Sequence, residues 1–359
     1  MSPHRVYNER KHITMNPTIN NYNTINVVES QQQNLPQFYE DLQKTHRKNK
    51  KQLAKLAKEL GNAEKAERVL NCANFLTYEL INQEYIKLAR INRCRERLCL
   101  NCQLANSREL IRQLFWSLPR LKIKTDENLQ FVTLTAQNCK AEKLKETIQH
   151  MVKRQNAMFR HFKITDYFRS VEITYNQNTN DFHPHLHLTC IVNKNSGFPF
   201  FEPEKGKKGA NKLQKTWYEW LGIPNEYGYN LATTYEIKTT RALYELCKYI
   251  SKVENLENIK VLKVFNEQLK GLRLKTPSGQ FKSLASAYKA ECETIKLQEL
   301  QYLDDAEIQL IELIYSTKKQ QYVLKRITEK KIVYSNQVNF WQNKRITEQK
   351  LAGVYHGNQ

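Results

Sequence analysis

From His183 the chain reads His-Pro-His-Leu-His-Leu, and this alternation constrains the fold more than any other stretch. In a β-strand successive side chains point to opposite faces, so His185 and His187 share one face while Leu186 and Leu188 enter a core. Residues 185–192 therefore read as a strand, and residues 170–175 as its hairpin partner across the turn-rich segment 176–181. Two imidazoles on one face can ligate a divalent cation. Glu172, on the partner strand amid Val171, Ile173 and Tyr175, can add a carboxylate. The bland alternative is a strand surface that carries two of the chain's nine histidines without chemistry.

Around this hairpin the texture alternates. Phe131, Val132, Leu134 and Thr135 mark a strand, residues 140–162 a helix, 211–221 a second helix, 231–237 a further strand and 241–253 a helix. The order β-α-β-β-α-β-α predicts an α+β fold, an antiparallel sheet with helices on one face in the split βαβ manner. Helical periodicity over residues 64–93 and 104–117 and over 304–331 adds a helical Cys-rich region before the sheet and a helical region after it. Four segments follow: a disordered stretch over 1–33, a basic Cys-rich region over 34–120, the sheet domain over 121–258 and a helical region over 259–359.

Lys and Arg exceed Asp and Glu by 57 to 36, a formal charge of +21 over 359 residues. Such an excess points to a polyanionic partner, nucleic acid first. No run approaches the ~18 apolar residues of a membrane helix, and residues 1–23 lack the apolar core of a secretory signal. The expectation is a cytoplasmic protein with no membrane partner.

Cys94, Cys99 and Cys102 lie close together with Cys72 upstream, and in a reducing compartment such a set reads as a tetrahedral Zn²⁺ site rather than as disulfides. Arg93, Arg95 and Arg97 interleave with these cysteines and would face DNA phosphates. Buried free thiols are the alternative.

On the helix over 241–253, Glu245, Tyr249 and Lys252 would share a face, since i, i+4 and i+7 align. A phenol of pKa about 10 is a poor nucleophile unless a cation such as Lys248 or Lys252 lowers it or a metal polarises its target.

Taken in order, Phe131-Val-Thr-Leu-Thr135, His183-Pro-His-Leu-His-Leu188 and Glu245-x-x-Lys-Tyr249-x-x-Lys252 resemble the three motifs of the rolling-circle replication initiators. These are HUH endonucleases, and the resemblance, over roughly residues 64–290, is to the single-tyrosine type of small Gram-positive plasmids. It implies Tyr249 as a nucleophile that leaves a 5′-phosphotyrosine, and Mg²⁺ or Mn²⁺ held by His185 and His187. It also implies a terminating role for Glu245, and a Cys-rich segment before the first motif. Double-strand origin DNA, single-stranded DNA, a host helicase and a polymerase are the implied partners, and an oligomer is compatible with it. Competing readings are a transposase or relaxase sharing the histidine pair, a non-catalytic origin-binding protein, and a histidine-triad nucleotide hydrolase. The basic cluster from Lys318 to Lys331 is either a DNA contact or a solvated helix face.

Overall fold

The computed structural model describes residues 24–26, 36–82, 85–199, 212–224, 231–237, 241–248, 250–301 and 307–331. Its first described element is β1 (Thr24–Asn26), followed by α1 (Gln37–Thr45), α2 (Arg47–Glu59) and α3 (Ala63–Leu70). The hairpin β2 (Phe75–Ile81) and β3 (Tyr85–Ile91) leads to the long α4 (Leu100–Ser117). Next come β4 (Glu127–Thr135), α5 (Leu144–His161), β5 (Tyr167–Asn176), β6 (Asp181–Asn193), α6 (Lys212–Leu221), β7 (Ala232–Glu236) and α7 (Arg241–Cys247). The short α8 (Val253–Leu256), α9 (Ile259–Gln268), β8 (Lys275–Pro277) and α10 (Gln280–Gln301) precede a second hairpin, β9 (Glu307–Ser316) and β10 (Gln321–Lys331).

The β-α-β-β-α-β-α order read from the sequence is present from β4 to α7. Strands order as β7-β4-β6-β5-β8, every neighbour antiparallel. Because β4 and β5 both oppose β6, they run the same way on either side of it, joined by α5. Leu144, Ile148, Met151 and Met158 recur at helical spacing on α5 and pack on the sheet face formed by Val132, Leu134, Val171, Ile173, Leu186 and Leu188. Trp217 of α6 is buried beside them and its Nε1 donates to the Thr135 carbonyl at 2.7 Å, pinning the end of β4. The fold is thus α+β, mixed helix and antiparallel sheet.

Helices were expected on one face of the sheet. α5 and α6 lie there, but Leu246 and Cys247 of α7, Leu114 of α4 and Phe281 of α10 pack on Phe131 and Phe168 of the other face. The histidines occupy the rest of that second face.

A second sheet, ordered β1-β3-β2-β9-β10, corrects three expectations. Residues 64–93 are helical only through α3 and then form β2 and β3. The helix expected over 304–331, part of the helical C-terminal region, is a β-hairpin across the described residues 307–331, so Lys318 to Lys331 do not line a helix. Leu76, Tyr78 and Leu80 alternate on β2 and Ile311, Leu313 and Tyr315 alternate on β9, so a period of two buries both sets in one cluster. The same segment also offers Ile308, Ile311 and Ile314 at helix-like intervals, which is why local pattern misleads. Of residues 1–33, expected to be disordered, Thr24–Asn26 pair with β3; the rest lie outside the described residues. The segment after residue 258 contributes β8 to the first sheet and β9 and β10 to the second. Among the described residues, no helix is long and apolar enough to cross a membrane.

His46, between α1 and α2, is 3% exposed, with Nδ1 2.6 Å from Asn101 Oδ1 on α4. Burial lowers its pKa below the usual 6.5; the Asn101 hydrogen bond and Glu257 oppose the shift and Lys50 adds to it. An unfolded histidine takes up its proton near pH 6.5, the folded one only at lower pH. Stability from the neutral imidazole is therefore complete above about pH 6.5 and is lost as pH falls towards the folded value. Melting curves at about pH 7.5 and about pH 5 should show a smaller drop for His46→Gln than for wild type. Equal drops would exonerate His46.

Candidate histidine site and cysteine centre

Register fixes the histidine face. Thr135, His185 and Glu172 stand side by side across β4, β6 and β5, and Thr133, His187 and Ser170 form the next row. Phe182, Pro184, Leu186 and Leu188 are buried on the opposite face, while His183, His185 and His187 stay partly accessible. The His185 and His187 rings stack at 6.0 Å with 16° between their planes, and the His183 ring lies 4.3 Å from that of His185.

His187 Nε2 lies 2.9 Å from Glu172 Oε2, and its Nδ1 lies 3.3 Å from Thr133 Oγ1. Burial alone would raise the Glu172 pKa, but the His187 hydrogen bond and the charges of His187, Lys248 and His185 outweigh it and the carboxyl titrates below its usual value. An ionised Glu172 accepts only, so Nε2–H donates to it and Nδ1 faces the Thr133 hydroxyl, which can donate or accept. The His185 pKa is lowered to about 4, by burial first and then by neighbouring His183 and His187, against the pull of Glu172. A neutral imidazole is the form that ligates metal. Two imidazoles and an ionised carboxylate on one face therefore fit a hard or borderline divalent cation.

α7 lies over this face. Its Leu246 and Cys247 are buried, Glu245 is partly buried, and Glu245 pairs with the exposed Lys248. The expected helix over 241–253 stops at Cys247 because the chain turns to the sheet edge. Ile250 accepts from the Ile173 N–H at 2.8 Å and donates its own N–H to Gln103 Oε1 at 2.9 Å. Both Ile250 groups are thus spent on the sheet and on α4 instead of a helix. Lys252, exposed and extended at φ −58° and ψ 151°, caps α8, so it does not share a helical face with Glu245. Tyr249 lies outside the described residues; of its neighbours, Ile250 is bonded to Ile173 and the Lys248 charge bears on Glu172.

The four cysteines converge. Among the described residues, Cys72, Cys94, Cys99 and Cys102 offer sulfur atoms that all lie within 4.8 Å of one another, and all four are buried and free. Sulfur separations are 3.7 Å for Cys72–Cys102, 3.6 Å for Cys94–Cys102 and 3.7 Å for Cys72–Cys99. A disulfide would need about 2.05 Å. Four Zn–S bonds of about 2.3 Å in a tetrahedron place sulfurs about 3.8 Å apart, close to these spacings. This cluster can hold a metal such as zinc.

The gap between Cys72 and Cys94 was expected to hold a helix; it holds the β2–β3 hairpin. The Ala73 N–H donates to the Asn92 carbonyl at 2.7 Å, closing the hairpin and delivering both thiols to one point. Cys99 caps α4 and Cys102 lies in its first turn. Lys50 of α2 is 7% exposed and donates to the Cys72 carbonyl at 3.0 Å and to Gln43 Oε1 at 2.8 Å. Its cation offsets the negative charge that four thiolates would leave on a zinc ion. The clue was its place three residues before Leu53, on the apolar stripe of α2. Gln103 and Thr133 were likewise missed, and no local pattern marks them. All three interleaved arginines, Arg93, Arg95 and Arg97, are exposed, and Arg97 also donates to the Leu269 carbonyl at 2.6 Å, tying this knuckle to the end of α9.

A family model described as "Replication protein" matches residues 85–323, more than half of the chain. Among curated proteins, one called "Protein rep" from a Bacillus species is 31% identical over 144 residues, covering 37% of this chain and 45% of its own length. "Protein rep" of Staphylococcus aureus is 27% identical over 193 residues, 51% of this chain and 80% of the relative. A third, from Streptococcus pneumoniae, is 30% identical over 146 residues, 39% and 46% of the two chains. The chain thus spans under half the length of the Bacillus and Streptococcus relatives. No solved structure matches.

Proposed function

Since the chain belongs to this family of replication proteins, the plasmid rolling-circle initiators that its motifs resemble, we propose that it binds the double-strand origin of its replicon and nicks one strand. The Tyr249 phenolate oxygen attacks the scissile phosphorus and the bond to the 3′ oxygen breaks. A 5′-phosphotyrosine and a free 3′-hydroxyl result, the phenol's proton passing overall to the departing oxygen. The 3′ end then serves a polymerase, with a host helicase opening the duplex, in the bacterial cytoplasm.

What supports this most is the one sheet face that carries His185, His187 and Glu172, next to the strand residue Ile173 that holds Ile250. His185, His187 and Glu172 would hold Mg²⁺ or Mn²⁺, with Nε2 of His187 giving up the proton it now donates to Glu172. When bound, the ion supplies Lewis-acid polarisation of a phosphate oxygen. Thr133 orients the His187 ring. Lys248, with Lys252 beyond it, supplies positive charge that favours the phenolate over the phenol. Glu245, paired with Lys248, acts as general base for the water that ends the cycle. The four cysteines hold structural Zn²⁺, and Arg93 and Arg95 meet DNA phosphates.

The test is direct. Wild-type protein incubated with Mn²⁺ and single-stranded oligonucleotides tiled across its replicon should give a band that survives denaturation and carries the mass of protein plus DNA. A full tiling with no such adduct would leave only a non-catalytic origin binder.

A further inference from the structure

Between β3, α4 and α7 lies a cleft of about 710 Å³ into which Arg90, Arg93, Arg108 and Arg112 project. Among the described residues, Glu109 is the one carboxylate paired with any of the four, at 2.9 Å from Arg112. The charges of Arg93, Arg108 and Arg112 all bear on the Tyr39 hydroxyl at the cleft wall, although burial is what raises its pKa. Gathering guanidinium groups without matching carboxylates works against folding, so the cleft is built for a polyanion. The rest of its lining mixes aliphatic side chains, Leu88, Ile91 and Ile111 among them, with three aromatic rings. Phe115 of α4 and Tyr244 of α7 stand with ring centroids 5.6 Å apart, and Tyr244 is 48% exposed.

Cations that follow a backbone, next to open rings, are what an unpaired nucleic-acid strand requires. A duplex keeps its bases stacked on one another and cannot lay them on Tyr244. The cleft also leads to the proposed nicking site: Tyr244 lies on α7, whose last residue Cys247 adjoins Lys248, and the Lys248 charge bears on Glu172. Resting on the nicking function above, we propose that this cleft holds the single-stranded DNA flanking the scissile phosphate, with its phosphates on the four arginines and its bases on Tyr244 and Phe115.

The test uses the full chain, a fluorescein-labelled oligothymidylate of about 20 nucleotides and a duplex of equal length, read by anisotropy over a series of salt concentrations. Tyr244→Ala should weaken oligothymidylate binding about 5- to 100-fold and leave duplex binding within about twofold. Tyr244→Phe, which keeps the ring, should restore it. Arg90→Ala with Arg108→Ala should lower the slope of log affinity against log salt by roughly 1.4, about 0.7 for each phosphate that is no longer neutralised. Wild-type affinity in Tyr244→Ala, an equal loss on duplex, or a Phe variant as weak as the Ala variant would each overturn the assignment. Oligothymidylate contains no nick site, so loss of binding in Tyr244→Ala would uphold the cleft even if wild type gave no adduct on replicon DNA.

Discussion

Tyr249→Phe should form no covalent adduct with replicon oligonucleotides, a loss of more than about 1,000-fold that takes the signal to background. Phenylalanine keeps the ring and its packing but lacks the oxygen that must bond to phosphorus. A substitute is not at hand. Tyr244 is the nearest other tyrosine in sequence, yet it sits on α7 in the arginine cleft against Phe115. Water could still attack a polarised phosphate slowly, but it would leave cut DNA without a protein attached. Denaturing gels and intact mass of the product distinguish the two results. An adduct in Tyr249→Phe would sink Tyr249 as the nucleophile, whereas cleavage without an adduct would locate the defect at the phenol alone. Unchanged melting temperature in the variant guards against a trivial loss of fold.

The parts that could be read from the sequence were those set by local period or by chemistry. The alternation around His185 gave the strand, the shared face and the neighbourhood of Glu172, since a period of two admits no other arrangement once Leu186 and Leu188 are buried. Cysteine spacing pointed to the tetrad because thiols able to hold one ion must converge, and these four do. What stayed hidden was decided by partners distant in sequence. The end of α7 depends on Ile173 and Gln103, the latter 147 residues away. β9 is a strand because β2 offers an edge, with Ile311 opposite Tyr78 and Leu313 opposite Leu76. Lys50 is buried because the β2–β3 hairpin brings the Cys72 carbonyl, 22 residues away, over it.

Protein purified without chelator should carry about one zinc per chain, and Cys99→Ser should lose it together with about 10–20 °C of melting temperature. The magnitude follows from position. Cys99 is fully buried at the start of α4, and the tetrad ties the end of α3, the β2–β3 hairpin and α4 to one point in the main core. Serine oxygen is a harder and much less acidic ligand, and removing one of four thiolates leaves three sulfurs and the Lys50 cation arranged round an incomplete centre. The damage should also travel. Cys102 and Gln103 are adjacent on α4, and Gln103 holds the Ile250 N–H, so loosening the first turn of α4 frees the segment that follows Tyr249. Adduct formation should therefore fall in Cys99→Ser even at temperatures where most of the protein remains folded. Cys292→Ser, outside the tetrad, should keep its zinc and its melting temperature. Thiol titration gives an independent readout: Cys139 and Cys292, both partly exposed, should react at once, and the four tetrad cysteines only after a strong chelator is added. Zinc-free wild-type protein, or stoichiometric zinc in Cys99→Ser, would remove the metal from this cluster and leave four buried thiols that merely pack.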